Sequence, residues 1–201
     1  GFYWVYAQKD LYDIKIHDFL FHEDFFIDFD LPECLSITQY ESISGEELNP
    51  YRRLSAGCIK AFIGGYKPYK ALIHKRIPIR SIGIEVMPAY YESYLKKQYP
   101  GLYTNPLAAF KKIDQTTDFP AMAKLLYEVK NYQGSGIAAS LFYEGKVSEA
   151  ISLVFEEQKK LLQKEEKKLT QQDIAHLENV TAYLNDHYAF EIPLERLAKI
   201  A

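Results

Sequence analysis

The sequence predicts an α+β fold, an antiparallel β-barrel followed by an all-α region, and three observations predict it. Up to Pro88 apolar and polar residues alternate at the period of a strand. Beyond Pro88 the apolar residues recur at the period of a helix. Turn-forming residues cut the first half into short segments. Residues 1–88 therefore read as a barrel, 89–169 as a helical region, and 170–201 as a third piece.

In the first half Tyr12, Ile14 and Ile16 interleave with Asp13, Lys15 and His17. Phe25, Ile27 and Phe29 are broken by Asp28 and Asp30, and Ile82, Ile84 and Val86 interleave with Gly83 and Glu85. Such strands are expected to bury one face and wet the other. Breakers stand between them: Leu31-Pro32-Glu33, Ser44-Gly45, Asn49-Pro50, Gly64-Gly65-Tyr66-Lys67-Pro68 and Met87-Pro88. Many short strands at this spacing favour a closed antiparallel barrel, since closure hides the sheet edges that would otherwise recruit other chains.

After Pro88 the spacing predicts helices over 89–98, 106–113 and 119–132, the last behind Asp118 as its cap. A Gly134-Ser135-Gly136 loop leads into a long helix over 137–168, with lysines and glutamates crowding its end. Its apolar stripe must meet either the barrel or a second copy of the chain. The candidate seam is Leu141, Ile151, Val154, Phe155, Leu161 and Leu162. Ile174, Leu177, Val180, Tyr183 and Leu184 form one more stripe, closed by His187-Tyr188-Ala189. Ile192-Pro193 then starts a helix from Leu194 to Ala201, with Pro near its first position.

The 201 residues allow one core with a smaller helical appendage. With 48% hydrophobic and 25% charged residues the composition is globular, and no apolar run approaches the ~20 residues of a membrane span. No membrane partner is expected. The formal net charge of −3 gives no general attraction to phosphate, so any surface that grips nucleic acid is missing or local. Cys34 and Cys58 have neither metal-ligand spacing nor the density of a disulfide scaffold, which points to a reducing cytoplasm. The chain begins at Gly1 without an initiator Met or signal peptide and stops at Ala201 in mid-pattern, so both ends are expected to have been cut.

The run His176-Leu177-Glu178-Asn179-Val180, through Tyr183-Leu184 and His187-Tyr188 to Leu194, Leu197 and Ala198, resembles the opening of the AraC-family DNA-binding domain. There a helix ending Tyr-Ile/Leu-x-x-x-Tyr precedes Leu-x-x-Leu-Ala, the first helix of the first helix-turn-helix. The resemblance implies truncation inside that motif. The helix that enters the major groove is the second of such a motif, so DNA is expected to be contacted only by the full-length protein and by no residue of this chain. Phe142-Tyr143-Glu144-Gly145-Lys146-Val147, with Glu149, is similar to a helix of the family's siderophore-uptake branch, the pyochelin-regulator type, as is Ile77-Pro78-Ile79-Arg80-Ser81-Ile82-Gly83-Ile84 before Met87-Pro88. Gly145 and Val147-Ser148 depart from that branch's pattern. The resemblance implies a cupin-like barrel that takes a small-molecule effector, followed by linker helices that support a homodimer.

The sequence holds 17 tyrosines and 12 phenylalanines, more aromatic surface than a small core uses, and tyrosine supplies both apolar and polar contact. Trp4, Tyr6, Phe19, Tyr40, Phe62 and Tyr66 are expected to line a pocket, with Arg53 or Arg80 orienting an acidic group. An enzyme is the rival reading, because a metal site needs converging His and carboxylate ligands. His17 and His22, with Glu23 beside the second, would face opposite ways on one strand, and His74 stands alone. There is no Gly-x-Ser-x-Gly elbow, and Gly64-Gly65 and Gly134-x-Gly136 are too short to cradle phosphate. The chain is thus expected to be no enzyme, with no catalytic residue, metal or cofactor. Two alternatives stand beside a ligand-sensing regulatory domain: a metal-dependent cupin enzyme, and an effector-free interaction module whose barrel is filled by its own side chains.

Overall fold

In the computed structural model of the chain the described residues are 1–114, 118–166, 176–181, 183–184 and 192–200. The strands are β1 (Phe2–Gln8), β2 (Tyr12–Phe19), β3 (Phe25–Phe29), β4 (Leu35–Ser42), β5 (Gly45–Leu48), β6 (Tyr51–Leu54), β7 (Ile59–Ile63), β8 (Tyr69–Ile73) and β9 (Ile79–Val86). They form two antiparallel sheets, one in the order β1-β2-β9-β4-β7 and the other in the order β3-β8-β5-β6. A π-helical turn, Ala89–Tyr94, runs into α1 (Leu95–Gln98), followed by α2 (Leu107–Ile113), α3 (Pro120–Lys130), α4 (Gly136–Glu166) and α5 (Leu194–Ile200). Residues 176–181 and 183–184 are also helical, whereas Ile174, His187, Tyr188, Ala189 and Ala201 lie outside the described residues. The α+β fold, strands first and helices after, is the one the periodicity predicts, and the change falls between Val86 and Ala89.

The chain divides into two compact units, Gly1–Lys159 and Lys160–Ala201. The barrel and the helices up to Lys159 are therefore one unit. Among the described residues no helix is long and apolar enough to cross a membrane.

The larger sheet carries its apolar residues on its outer face. Tyr12, Ile14 and Ile16 of β2 lie beside Val86, Ile84 and Ile82 of β9, which lie in turn beside Leu35, Ile37 and Gln39 of β4. The helices cover this face. Phe110 and Ile113 of α2, Met122, Leu125, Leu126 and Val129 of α3, and Tyr143, Val147, Ala150, Ile151 and Val154 of α4 are all buried. Each large apolar side chain so buried contributes roughly 1.5–3 kcal/mol. The main core thus lies between sheet and helices.

Pairing register sets what faces inward. Tyr3 pairs with His17, and Val5 with Lys15. Lys15 pairs with Gly83 and His17 with Ser81. Ser36, Thr38 and Tyr40 pair with Glu85, Gly83 and Ser81. These alternate residues point away from the helices into the space between the sheets. One end of that space is closed by Ile43, Leu54, Ala71, Ile73 and Ile79, with Phe19, Phe21, Ile27, Tyr40 and Tyr69 packed against them. The other end is open.

Two helix expectations need correction. α3 is capped at Phe119 with no side-chain cap bond, so Asp118 does not cap it, and Pro120 opens it instead. The buried stripe of α4 runs through Ala139, Tyr143, Val147, Ala150, Ile151 and Val154. Ile151 and Val154, expected at a dimer seam, are consumed inside the chain, while Leu141 and Leu162 are exposed. Phe155 and Leu161 are half-buried.

Candidate ligand-binding site

A cavity of about 340 Å³ occupies the open end of the barrel. Every strand of the larger sheet places a side chain in it: Tyr3 from β1, Lys15 and His17 from β2, Ser36, Thr38 and Tyr40 from β4, Lys60 and Phe62 from β7, and Glu85 from β9. The facing sheet supplies Glu47 and Tyr69, and Phe29 and Leu31 stand at the rim. Gly83 keeps the wall low between Lys15 and Thr38, since a Cβ there would come within 2.5 Å of Thr38 Oγ1.

The polar groups are held in pairs. Lys15 Nζ donates to Glu85 Oε1 at 2.9 Å and lies 3.7 Å from Asp13. Lys60 Nζ lies 2.8 Å from Glu47 Oε2, and Tyr69 Oη donates to Glu47 Oε1 at 3.4 Å. His17 stacks on Tyr3 at 4.8 Å and places Nδ1 3.0 Å from Ser81 Oγ. Phe62 meets Tyr69 edge to face at 5.2 Å. Burial holds the His17 imidazole below its ordinary pKa, with Lys15 adding to the effect. The Lys15 ammonium is pushed down by burial, but Glu85 more than offsets this and its pKa is raised. Burial pushes the Tyr40 and Tyr69 phenols well up, so both remain O–H donors at neutral pH. The cavity offers paired charges and phenol donors among aromatic walls, the mixture with which a pocket orients a small polar molecule.

A second pocket of about 230 Å³ opens beside it, between β6, β7, β8 and α2. Glu47, Lys60, Phe62 and Tyr69 line both. Arg52, Tyr66, Lys67, Lys70, Lys111 and Asp114 complete the outer pocket's polar lining with Asn49.

Among the eight residues expected to bind ligand, Tyr40 lines the inner cavity, Tyr66 the outer pocket, and Phe62 both. Trp4 and Tyr6 instead share the outer face with Ile14 and Ile16 and contact Tyr143 of α4. Tyr6 Oη donates to Ser140 Oγ at 3.1 Å, so both residues tie barrel to helix. Phe19 belongs to the apolar plug. Arg53 is exposed and its neighbour Arg52 takes the pocket position. Arg80 is exposed beside Asp18, at 3.4 Å. Sequence reasoning missed Lys15, His17, Thr38, Glu47, Lys60, Tyr69 and Glu85. The signal was present in β2 and β9, where Lys15, His17 and Glu85 occupy the alternate positions taken for a wet face. That face lines the cavity.

Of the histidines weighed as metal ligands, His17 bonds Ser81, while His74 lies 3.1 Å from Glu46 and 2.8 Å from Ser44 Oγ. Among the described residues no three His, Cys, Asp or Glu side chains are grouped to hold a metal ion.

No family model matches the chain. No curated protein matches it. Among solved structures it is similar to a cupin protein of Bacteroides fragilis, at 16% identity and a TM-score of 0.30, over 38% of this chain and 66% of that one. It is also similar to an RmlC-like cupin of Desulfovibrio desulfuricans, at 8% identity and a TM-score of 0.32, over 43% and 81% of the two chains. A third likeness is to apo ToxT of Vibrio cholerae, at 12% identity and a TM-score of 0.49, over 94% of this chain and 69% of that one.

Proposed function

We propose that the chain is the ligand-sensing part of an AraC-type transcription regulator, a cytoplasmic binding protein with no enzymatic role. A metabolite-sized effector enters the barrel, and its binding controls DNA contact by a C-terminal domain that the full-length protein carries. One observation supports this above the others: the barrel holds a cavity of about 340 Å³ walled by paired charges and tyrosines. That volume lies at the lower end of the roughly 300–1,000 Å³ usual for small-molecule sites. An effector-free module would fill this space with its own apolar side chains, as the plug around Ile73 and Leu54 does at the other end. Such a switch requires the effector to bind one arrangement of barrel and helices better than another. The resemblance of the C-terminal run to the family's DNA-binding domain supports the regulatory half of the reading, and the siderophore-uptake branch makes a siderophore or other aromatic metabolite the first class to try.

The protein acts as a homodimer in this reading, and exposed apolar residues on α4 support it. Ile137 and Leu141, 76% and 63% exposed, stand one turn apart on the same side.

Thermal unfolding against siderophores, aromatic acids, sugars and divalent metals tests the proposal. A ligand at a hundred times its Kd stabilises the native state by about 2.7 kcal/mol. An organic compound is expected to raise the midpoint where metals do not, and Phe62→Ala is expected to diminish the rise. A rise with a metal alone would favour a metalloenzyme instead.

A further inference from the structure

Lys60 stands where the two pockets meet, its side chain only 13% exposed. Its Nζ faces Glu47 at 2.8 Å and Asp114 Oδ1 at 3.2 Å. Arg52 of β6 donates through Nη1 to the other Asp114 oxygen, and at 3.3 Å to the Asp114 backbone carbonyl. Asp114 caps the C-terminus of α2, the end of a helix where a carboxylate is disfavoured by the aligned backbone carbonyls. Its seat between a guanidinium and an ammonium on the barrel makes up for that placement.

The outer pocket also carries more positive charge than its own acids neutralise. Arg52, Lys60, Lys67, Lys70 and Lys111 line it against Glu47 and Asp114, in a chain whose net charge is −3. Lys70 is answered from outside the pocket by Asp28 at 3.0 Å. Lys111, one turn before Asp114, lies 5.9 Å from the centre of the Tyr66 ring and has no carboxylate partner among the described residues. An uncharged ligand gains nothing from this excess. A carboxylate or phosphate does, because both accept charge-assisted hydrogen bonds from the Arg52 fork and the Lys60 ammonium.

We propose that the outer pocket is the acid-recognition end of the effector site, and that Asp114 is a built-in occupant which the effector's acidic group displaces. The ligand is then a small organic anion, its aromatic or apolar body lying against Phe62, Tyr66 and Tyr69 and its head on Arg52 and Lys60. Displacing Asp114 frees the end of α2 from β6 and β7. This rests on the barrel being a ligand sensor, and it supplies the contact through which occupancy reaches the helices.

The test uses three matched probes, phenylacetate, phenyl phosphate and the neutral phenylacetamide, titrated into the chain and followed by amide shifts in NMR. One or both anions are expected to bind at least about tenfold more tightly than the amide, the change expected for one charge-assisted hydrogen bond. Which of the two binds more tightly identifies the head group as carboxylate or phosphate. Asp114→Asn is expected to tighten anion binding, and Lys60→Met to weaken it, by about tenfold each. Arg52→Gln serves as a second weakening variant should Lys60→Met unfold. Hydrogen exchange in α2 is expected to quicken when the anion is bound. Equal binding of amide and anions in the barrel would overturn the acid-recognition proposal and leave the sensor reading standing. Unchanged anion affinity in Asp114→Asn would overturn the displacement. If neither anions nor amide bind while an uncharged compound raises the unfolding midpoint, the proposal again falls and the sensor reading survives. If nothing organic acts in either experiment, both fall.

Discussion

Burial disfavours the charged form of His17, and the Lys15 ammonium two residues away adds to the effect. The folded chain therefore binds the His17 proton less readily than the unfolded chain. Stability contributed by neutral His17 is fully present above its ordinary value of 6.5 and is lost as pH falls through that value toward the lower folded one. Urea unfolding between pH 7.5 and 5 is expected to show this decline, and His17→Gln is expected to flatten it. Side-chain identity alone could not place these residues. Arg53 was expected in the pocket and Arg52 is there, because a shift of one residue along a strand moves a side chain to the other face. Aromatic character picked out Tyr40, Phe62 and Tyr66, which line the pockets, and equally Trp4, Tyr6 and Phe19, which pack against α4 or in the apolar plug, because an aromatic suits either face. Lys15, His17 and Glu85 were not, because a polar residue on a strand reads as wet whether the water is bulk solvent or a cavity.

At the scale of elements, α4 is the best illustration of what periodicity does and does not fix. Its existence was legible: among the described residues it runs over Gly136–Glu166 where 137–168 was expected, and 167 and 168 lie outside them. Its buried face was not, since Leu141 lies outside the stripe of Tyr143, Val147 and Ala150. Aromatic anchors on the barrel decide that rotation: Trp4 and Tyr6 both approach the Tyr143 ring, at 6.0 and 4.5 Å. Long-range pairs of this kind leave no mark in a local window. Gly145 lies on the open side of this helix, where a Cβ would meet nothing within 4 Å. Gly145→Ala is accordingly expected to stabilise the chain by roughly 0.5–1 kcal/mol in chemical denaturation, the cost of a glycine in a helix interior. In β9 the opposite holds. Ile84, 2% exposed, is locked between β2, β4 and the helices, and Ile84→Ala is expected to cost about 2–5 kcal/mol by the same measurement.

Over the whole molecule, the two faces of the barrel's larger sheet differ in what they meet. Its outer face meets the helices, and part of the barrel's interior stays open as a cavity. The fold class was legible because the change of period at Pro88 is abrupt. The inverted sheet was not, because alternation in one sequence says that two faces differ and does not say which is inside. Assembly belongs to this scale as well. If Ile137 and Leu141 meet a second copy, light scattering is expected to give a dimer mass for the native chain, and Leu141→Asp is expected to shift it to monomer with its unfolding midpoint little changed.

If the barrel interior is a ligand site, a bound effector lies between the two sheets, and NMR maps its position. Amide shifts are recorded while the compound that most raises the unfolding midpoint is titrated in, for the native chain and for Ser36→Leu, which places bulk in the cavity. Shifts are expected to concentrate on β2, β4, β7 and β8 and to be lost in Ser36→Leu with the fold retained. Shifts confined to the outer surface, or equal binding by Ser36→Leu, would contradict it.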